Sequence, residues 1–412
     1  MIDLPDIKPS TPVSVFERDK HLNSKIIFSI KNVSRAVGMT SSFIKKVCGK
    51  KDFLTAKDVL QLLDQDSFKE TLVPRSKVID YLFKLEGNNS SKYEEFNDKY
   101  TLKKGNALDI IKTISPKSVK CIVTSTPYWG LRIYKDSYLA EWADGEICAY
   151  GHEQTPEAFI RHTIEVLASL YDALDDDGSI WWNVMDSFNT RTQIRSNAVE
   201  ALHAMQGKDK RSWSEHACRR YSAGHSYLKD GEQCMIPAQI AERASRIGFY
   251  VKSVITWAKT SSLPEPQSSR VSRNLEYIIH LTKKRTPLFN KEIYLNYPAE
   301  LGGKNNGNET NKLSDVWVLP TSSGRDGHGA QFPLALPARC IALSSNKDDL
   351  VLDPFVGSGS SGIAAKKLGR RFIGIDVSDE YLDIANRRIA EAKYSSIIAQ
   401  DFCNDDSKIV ER

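Results

Sequence analysis

Cysteine is sparse in this 412-residue chain: the seven, at 48, 121, 148, 218, 234, 340 and 403, are scattered, and none forms a Cys-x-x-Cys pair. That excludes a disulfide framework and any ordinary zinc-finger spacing, so the expectation is free thiols in a reducing compartment and no bound metal. Long apolar runs are missing too. No stretch approaches the roughly 20 residues that a membrane-spanning helix needs, and Met1-Ile2-Asp3-Leu4-Pro5 carries no basic segment leading into an apolar one. A cytoplasmic protein with no membrane partner is expected. Charge of one sign is not in large excess either: 57 basic and 52 acidic residues leave a net charge of +5, which permits an anionic partner without demanding one. The sequence also has no internal repeat and no low-complexity tract. What it does have is 41% hydrophobic residues, enough for a sizeable core and two or three domains.

Residues 1–90 read as a small all-α domain. Within it, 30–47 have the spacing of a helix-turn-helix: Val33, Ser34 and Val37 on an inner face, Gly38 at the turn, Met39 beneath it, and Ile44 and Val47 anchoring a second helix. That second helix would present Thr40, Ser41, Ser42, Lys45 and Lys46, of which Ser41 and Lys45 are candidate DNA contacts. A helical bundle without DNA contact fits the same pattern. A further helix, with Val59, Leu60, Leu62 and Leu63 on its apolar side, completes the unit.

Glu86-Gly87-Asn88-Asn89-Ser90-Ser91 is a turn-rich linker. From 93 to 412 strands alternate with helices. Strands are expected at Val119–Val123, Ser179–Val184, Val251–Trp257, Glu276–Thr282 and Leu350–Asp353, and a helix opens at Thr155-Pro156-Glu157 and runs through Leu174 until Asp177-Gly178 ends it. This alternation predicts an α/β fold, a doubly wound, Rossmann-like sheet. Two stretches interrupt it. Residues 189–234 carry Arg191, Arg195, Lys208, Lys210, Arg211, Arg219 and Arg220 around Trp213 and Tyr221; residues 283–327 carry Phe289, Tyr294, Tyr297 and Trp317 among Asn, Gly and Lys. Cations interleaved with aromatics suit a phosphate backbone and exposed bases, and a solvated insertion is the plainer alternative.

Leu350-Val351-Leu352-Asp353 is an apolar strand ending in a carboxylate, and Gly357, Ser358 and Gly359 then turn the chain into a helix. Amides at such a helix start let an anionic ligand group approach closely. The following strand ends at Asp376, about 20 residues past the turn, where an acidic side chain can hold ribose hydroxyls. Glycines after a strand alone do not separate this from dinucleotide sites or structural turns.

Paired with an earlier segment, Thr124-Ser125-Thr126-Pro127-Tyr128-Trp129, the turn Asp353-Pro354-Phe355-Val356-Gly357-Ser358-Gly359 resembles the β class of DNA amino-methyltransferases, in which the catalytic segment precedes the donor segment. The resemblance covers about Tyr93 to Ala392 and implies the permuted methyltransferase sheet and S-adenosyl-L-methionine as methyl donor. It implies a donor site made of Asp353 for the ammonium, Phe355, Gly357 and Gly359 in the turn, Asp376 for the ribose, Asn106 near the adenine, and Phe332, within His328–Pro333, over the methionine end. Ser125 and the Thr126 carbonyl would accept the two hydrogens of a flipped base's amine, with Pro127 shaping the loop and Tyr128 stacking on the base. Thr126 departs from the family's usual proline; Pro127 still favours an extended Thr126.

Serine in that loop implies N4 of cytosine in double-stranded DNA. The alternatives are N6 of adenine and a catalytically weakened homologue acting mainly as a DNA-binding regulator. No Pro-Cys pair is present, which speaks against carbon-5 chemistry. The resemblance further implies a restriction–modification system whose endonuclease acts on the same site without forming a stable complex. The first 90 residues would regulate the enzyme's own operon or add grip on DNA.

Overall fold

The computed structural model describes residues 26–65, 68, 71–73, 75–87, 93–96, 98–129, 138–153, 155–189, 192–194, 219–221, 228–229, 231–260, 269–321 and 332–395; of 192–194 and 219–221 only the backbone is described. Strands are numbered along the chain from β1 to β14. Internal packing divides the chain into two units, one of Met1–Lys92, Tyr128–Ala168 and Ser187–Phe249, the other of Tyr93–Pro127, Ser169–Asp186 and Tyr250–Arg412.

In the first unit, β1 (Ile27–Ser29) pairs antiparallel with β2 (Phe53–Thr55). Helices follow where capping residues start them. The Ser29 hydroxyl accepts from Asn32 N and begins Ile30–Val37, Thr40 accepts from Phe43 N and begins Ser41–Val47, and Thr55 with Asp58 forms a reciprocal capping box for Ala56–Leu63. Gly38, at φ 67°, takes the left-handed conformation between the first two helices, which a side chain adopts only with strain. Phe28, Val33, Val37, Ile44, Leu54, Val59, Leu63 and Leu82 are buried together. A two-stranded hairpin, β5 (Ala140–Glu141) with β6 (Ile147–Cys148), and the start of helix Pro156–Ala173 belong to the same unit, as does the ladder of β8 (Thr192–Ile194) with β9 (Arg219–Tyr221).

The second unit is built on an eight-stranded sheet. At one side, β3 (Tyr100–Lys104), β14 (Arg371–Asp376), β13 (Leu350–Asp353), β4 (Val119–Ser125) and β7 (Leu174–Val184) run parallel in that order. Beyond β7 the sheet continues through β11 (Leu275–Thr282) and β10 (Tyr250–Lys259), each antiparallel to its neighbour, and ends with β12 (Val316–Leu319) parallel to β10. Helices Ala335–Ser344, Ser360–Lys367 and Asp379–Glu391 pack with the sheet through a core that includes Val123, Trp181, Trp257, Ile278, Trp317, Ile341, Val351, Phe372 and Ile389. This is the expected doubly wound α/β architecture.

Two features differ from the sequence reading. The first 90 residues are not all-α, because β1 and β2 pair ahead of the helices that Ser29 and Thr55 cap. The helix that opens at Pro156 ends at Ala173, and Leu174 already pairs with Val119. The register then jumps to Cys121 opposite Ser179, so residues 175–178 bulge out of the strand. Asp175 and Asp177 in the bulge close on the Lys120 ammonium at 3.2 and 2.5 Å, and a Cβ on Gly178 would lie 2.7 Å from the Lys120 carbonyl. Helical spacing continued through Leu174, but the charges beyond it serve the sheet. Among the described residues no helix is long and apolar enough to cross a membrane.

Candidate active site

Parallel strands β4 and β13 are direct neighbours, with Val351 opposite Cys121 and Leu352 opposite Ile122. Their carboxyl ends therefore lie at one edge of the sheet, about one strand spacing apart, near 4.8 Å. From β4 the chain passes through Ser125, Thr126 and Pro127; from β13 it passes through Asp353 into the glycine turn. The open edge beyond parallel strands is where α/β sheets bind ligands.

Ser125 is half-buried and its hydroxyl accepts from Asn183 Nδ2 at 3.3 Å. The same amide donates to Glu276 Oε2 at 2.7 Å, and Glu276 Oε1 meets Lys259 Nζ at 2.6 Å. A wholly buried Asn183 and a nearly buried Glu276 thus fix the serine from below through adjacent strands β7 and β11. Neither Asn183 nor Glu276 was singled out by sequence reasoning. A polar residue entering an otherwise apolar strand, Leu275-Glu276-Tyr277-Ile278, was the available signal.

Thr126 is buried, and both groups that distinguish it from proline turn inward: its N–H donates to the Asn183 carbonyl at 3.2 Å and its hydroxyl reaches the same carbonyl at 3.4 Å. Pro127 and Tyr128 are half-buried. Trp129 is buried, its indole donating to the Glu153 carbonyl at 2.9 Å, so it packs within its own unit and is not exposed for stacking.

Asp353 is buried, accepting from Phe355 N at 3.0 Å and from the Ser361 hydroxyl. Burial is the main influence on its carboxyl, pushed up to about 6, with the nearby Asp376 charge acting in the same direction against these hydrogen bonds. Asp376 accepts from Gly357 N at 2.9 Å and from Ser378 N at 3.0 Å, tying the end of β14 to the turn. Gly357, at φ 49°, has open space where a Cβ would stand, whereas one on Gly359 would lie 2.9 Å from the Ala385 Cβ. The first glycine leaves room at the turn; the second lets helix Asp379–Glu391 approach. Gly105 N donates to the Asp376 carbonyl at 2.9 Å, which brings Asn106 to the same edge, where it caps helix Ala107–Ile111 through Leu108 N. Phe355 is half-buried, its ring 6.0 Å from that of Trp182, and Phe332 is buried in the core.

A buried carboxylate with no cation paired to it among the described residues, amides at a helix start and an open glycine fit a zwitterionic, ribose-bearing ligand. Cys121 is wholly buried, and burial pushes its thiol up to about 12, which keeps it out of nucleophilic chemistry.

Arg339 lies on helix Ala335–Ser344, ahead of the turn. It is fully buried, bonded to Glu309 by two 2.8 Å contacts and to the Gly302 and Gly303 carbonyls, and enclosed by Tyr294 and Trp317. Those two aromatics of the 283–327 stretch are therefore core residues. Of the other expected DNA contacts, Ser41 and Lys45 lie on helix Ser41–Val47, with Lys45 paired to Asp52 at 2.6 Å. Arg219 and Arg220 are in strand β9, described only as backbone, and Arg191, Arg195, Lys210 and Arg211 lie outside the described residues.

Ser125–Pro127 and the Asp353–Gly359 turn, side by side at the carboxyl edge of a permuted, doubly wound sheet, match the β-class amino-methyltransferases of restriction–modification systems. The chain belongs to the DNA methylase family of N6/N4 methyltransferases, whose model matches residues 119–387. The type II methyltransferase M.Cfr9I of Citrobacter freundii is 30% identical over 289 residues, covering 70% of this chain and 87% of its own length. M.XycI of Xanthomonas campestris pv. cyanopsidis is 29% identical, covering 72% and 90%. Among solved structures, the PvuII DNA methyltransferase, described as cytosine-N4-specific, shares the fold with a TM-score of 0.50 at 16% identity, covering 76% of this chain and 95% of that one.

Proposed function

We propose that this DNA methyltransferase modifies the exocyclic N4 of cytosine in double-stranded DNA, as the modification enzyme of a restriction–modification pair whose endonuclease reads the same site without stable association. The observation that carries the reading is Ser125, an uncharged hydroxyl held by Asn183 on the strand next to the Asp353 turn. An exocyclic amine is a poor nucleophile because its lone pair is delocalised into the ring. Two acceptors aimed at its N–H bonds, the Ser125 hydroxyl and the Thr126 carbonyl, draw that electron density back onto nitrogen, with Tyr128 stacking on the extruded base. S-adenosyl-L-methionine supplies the electrophilic methyl group when bound. Asp353 would hold its ammonium, Asp376 its ribose and Asn106 its adenine, beside Phe355, Phe332, Gly357 and Gly359. Positioning and hydrogen bonding carry the catalysis, and the amine proton leaves to solvent.

Residues 93–412 form the methyltransferase domain in this reading, with 189–234 and 283–327 as DNA-recognition insertions. The helical residues 1–90, with Ser41 and Lys45, add grip on DNA or regulate the enzyme's own operon. Digestion of DNA methylated by the protein, followed by mass identification of the modified nucleoside, tests the central claim: N4-methylcytosine is expected. N6-methyladenine would overturn the base assignment, and donor binding without incorporation would favour a regulator.

A further inference from the structure

A second constellation lies in the first unit, on the β5–β6 hairpin and helix Pro156–Ala173. Glu146, Cys148 and His162 each direct one ligand-type atom to a common point, all three within 4.8 Å of one another. His162 is wholly buried, with Nε2 at 3.9 Å from Glu146 Oε2 and 3.3 Å from both Asp144 carboxylate oxygens. Its other nitrogen, Nδ1, is bonded at 3.0 Å to Glu153 Oε1. A carboxylate on one imidazole nitrogen, with the other facing thiol and carboxylate, is how a metal-ligating histidine is fixed. Glu153 is itself buried, and its second oxygen, Oε2, has no hydrogen-bond partner among the described residues. Three carboxylates and a thiol are thus gathered around one imidazole, with the Arg161 guanidinium on Asp144 opposing them.

Hydrogen bonds and a stacked indole brace the frame. Gly145 N bonds to the Trp142 carbonyl at 2.8 Å, Trp142 N to the Glu146 carbonyl at 2.9 Å, and the Trp142 indole to the Cys148 carbonyl at 3.0 Å. The same indole stacks on His162, with ring centres 4.1 Å apart.

We propose that Glu146, Cys148 and His162 bind a zinc-class divalent ion, with a water as fourth ligand and Glu153 orienting His162. Thiolate, imidazole and carboxylate together select zinc over the hard alkaline-earth ions. In a tetrahedral zinc site the donor atoms stand about 3.2–3.7 Å apart, so the observed cluster needs a contraction of roughly 1 Å. Binding displaces the thiol proton and any imidazole proton to solvent. The two anionic donors, Glu146 and Cys148, then balance the charge of the ion, while Arg161 offsets Asp144. Glu146, Cys148 and His162 are near one another in the chain but lack the spacing of a recognised metal motif, and the turn of the hairpin onto the helix gathers them.

Full-length protein purified without chelators is analysed for bound metal by elemental mass spectrometry, then stripped and titrated with Zn2+ and with Co2+. One zinc per chain is expected, with tetrahedral cobalt absorption including a thiolate charge-transfer band. Cys148→Ser should abolish that band and weaken Zn2+ binding by at least about 100-fold. Glu146→Gln, on the half-exposed turn, should weaken it by about 10-fold with circular dichroism unchanged, and it serves as the readout if Cys148→Ser fails to fold. Cys48→Ser should change nothing. No stoichiometric uptake at micromolar free zinc, or a cobalt spectrum and affinity unaltered by the Cys148 and Glu146 variants, would overturn the site.

Discussion

Thr126 shows how a departure from a family pattern can be absorbed. Proline at this position would supply a fixed φ; threonine instead anchors the loop by donating its N–H and hydroxyl to the Asn183 carbonyl. Installing the usual residue by Thr126→Pro removes both donors from a buried acceptor, at about 1–3 kcal/mol. The variant should have a lower thermal midpoint and no higher kcat, and a faster enzyme of unchanged stability would contradict this account. Ser125→Ala addresses the chemistry. It deletes the proposed acceptor while leaving the Asn183–Glu276–Lys259 chain in place, so kcat should fall about 100-fold or more with donor affinity, measured by calorimetry, unchanged. The serine and the threonine were legible in the sequence because they sit in a short motif. Their supports were not: Asn183 and Glu276 come from strands that meet Ser125 only through sheet order.

At the scale of elements, strands and caps were the readable part. Apolar runs such as Val119–Val123 and Leu350–Asp353 became β4 and β13, and Thr155 caps helix Pro156–Ala173, its hydroxyl accepting from Ala158 N at 3.2 Å. Aromatic residues in polar stretches misled. Tyr294 and Trp317 sit among Asn, Gly and Lys, yet Arg339 draws them inward because a buried guanidinium must be enclosed and paired. Helix Ser41–Val47 keeps a polar face: Ile44 is buried while Ser42 and Lys46 are exposed. If that face meets the phosphate backbone, Lys46→Ala should weaken DNA binding across sequences and reduce the slope of log K against log salt by about 0.9. Fluorescence anisotropy at four salt concentrations measures it, and an unchanged slope would remove Lys46 from the interface.

For the molecule as a whole, the carboxyl edge of the sheet joins donor binding to stability. Ser125 and Asp353 are far apart in the sequence, and the motif order alone placed them in one site; the pairing of β4 with β13 brings them to neighbouring positions. Burial raises the Asp353 carboxyl from 3.8 to about 6, so the folded protein holds this proton more tightly than the unfolded chain. The resulting stabilisation is complete below about pH 3.8 and is lost as the pH rises through about 6. Above that point the fold carries a desolvated anion that the ammonium of a bound donor would neutralise. A ligand present at 100 times its Kd stabilises by about 2.7 kcal/mol, so a fixed donor concentration should raise the melting temperature more at pH 7.5 than at pH 5, with Kd weakening toward tenfold per unit below about pH 6. Asp353→Asn should melt higher than the parent at pH 7.5 without donor, bind donor poorly, and lose the pH dependence. A donor-induced shift of equal size at both pH values would mean that another group receives the ammonium, and that the buried carboxylate serves only the turn.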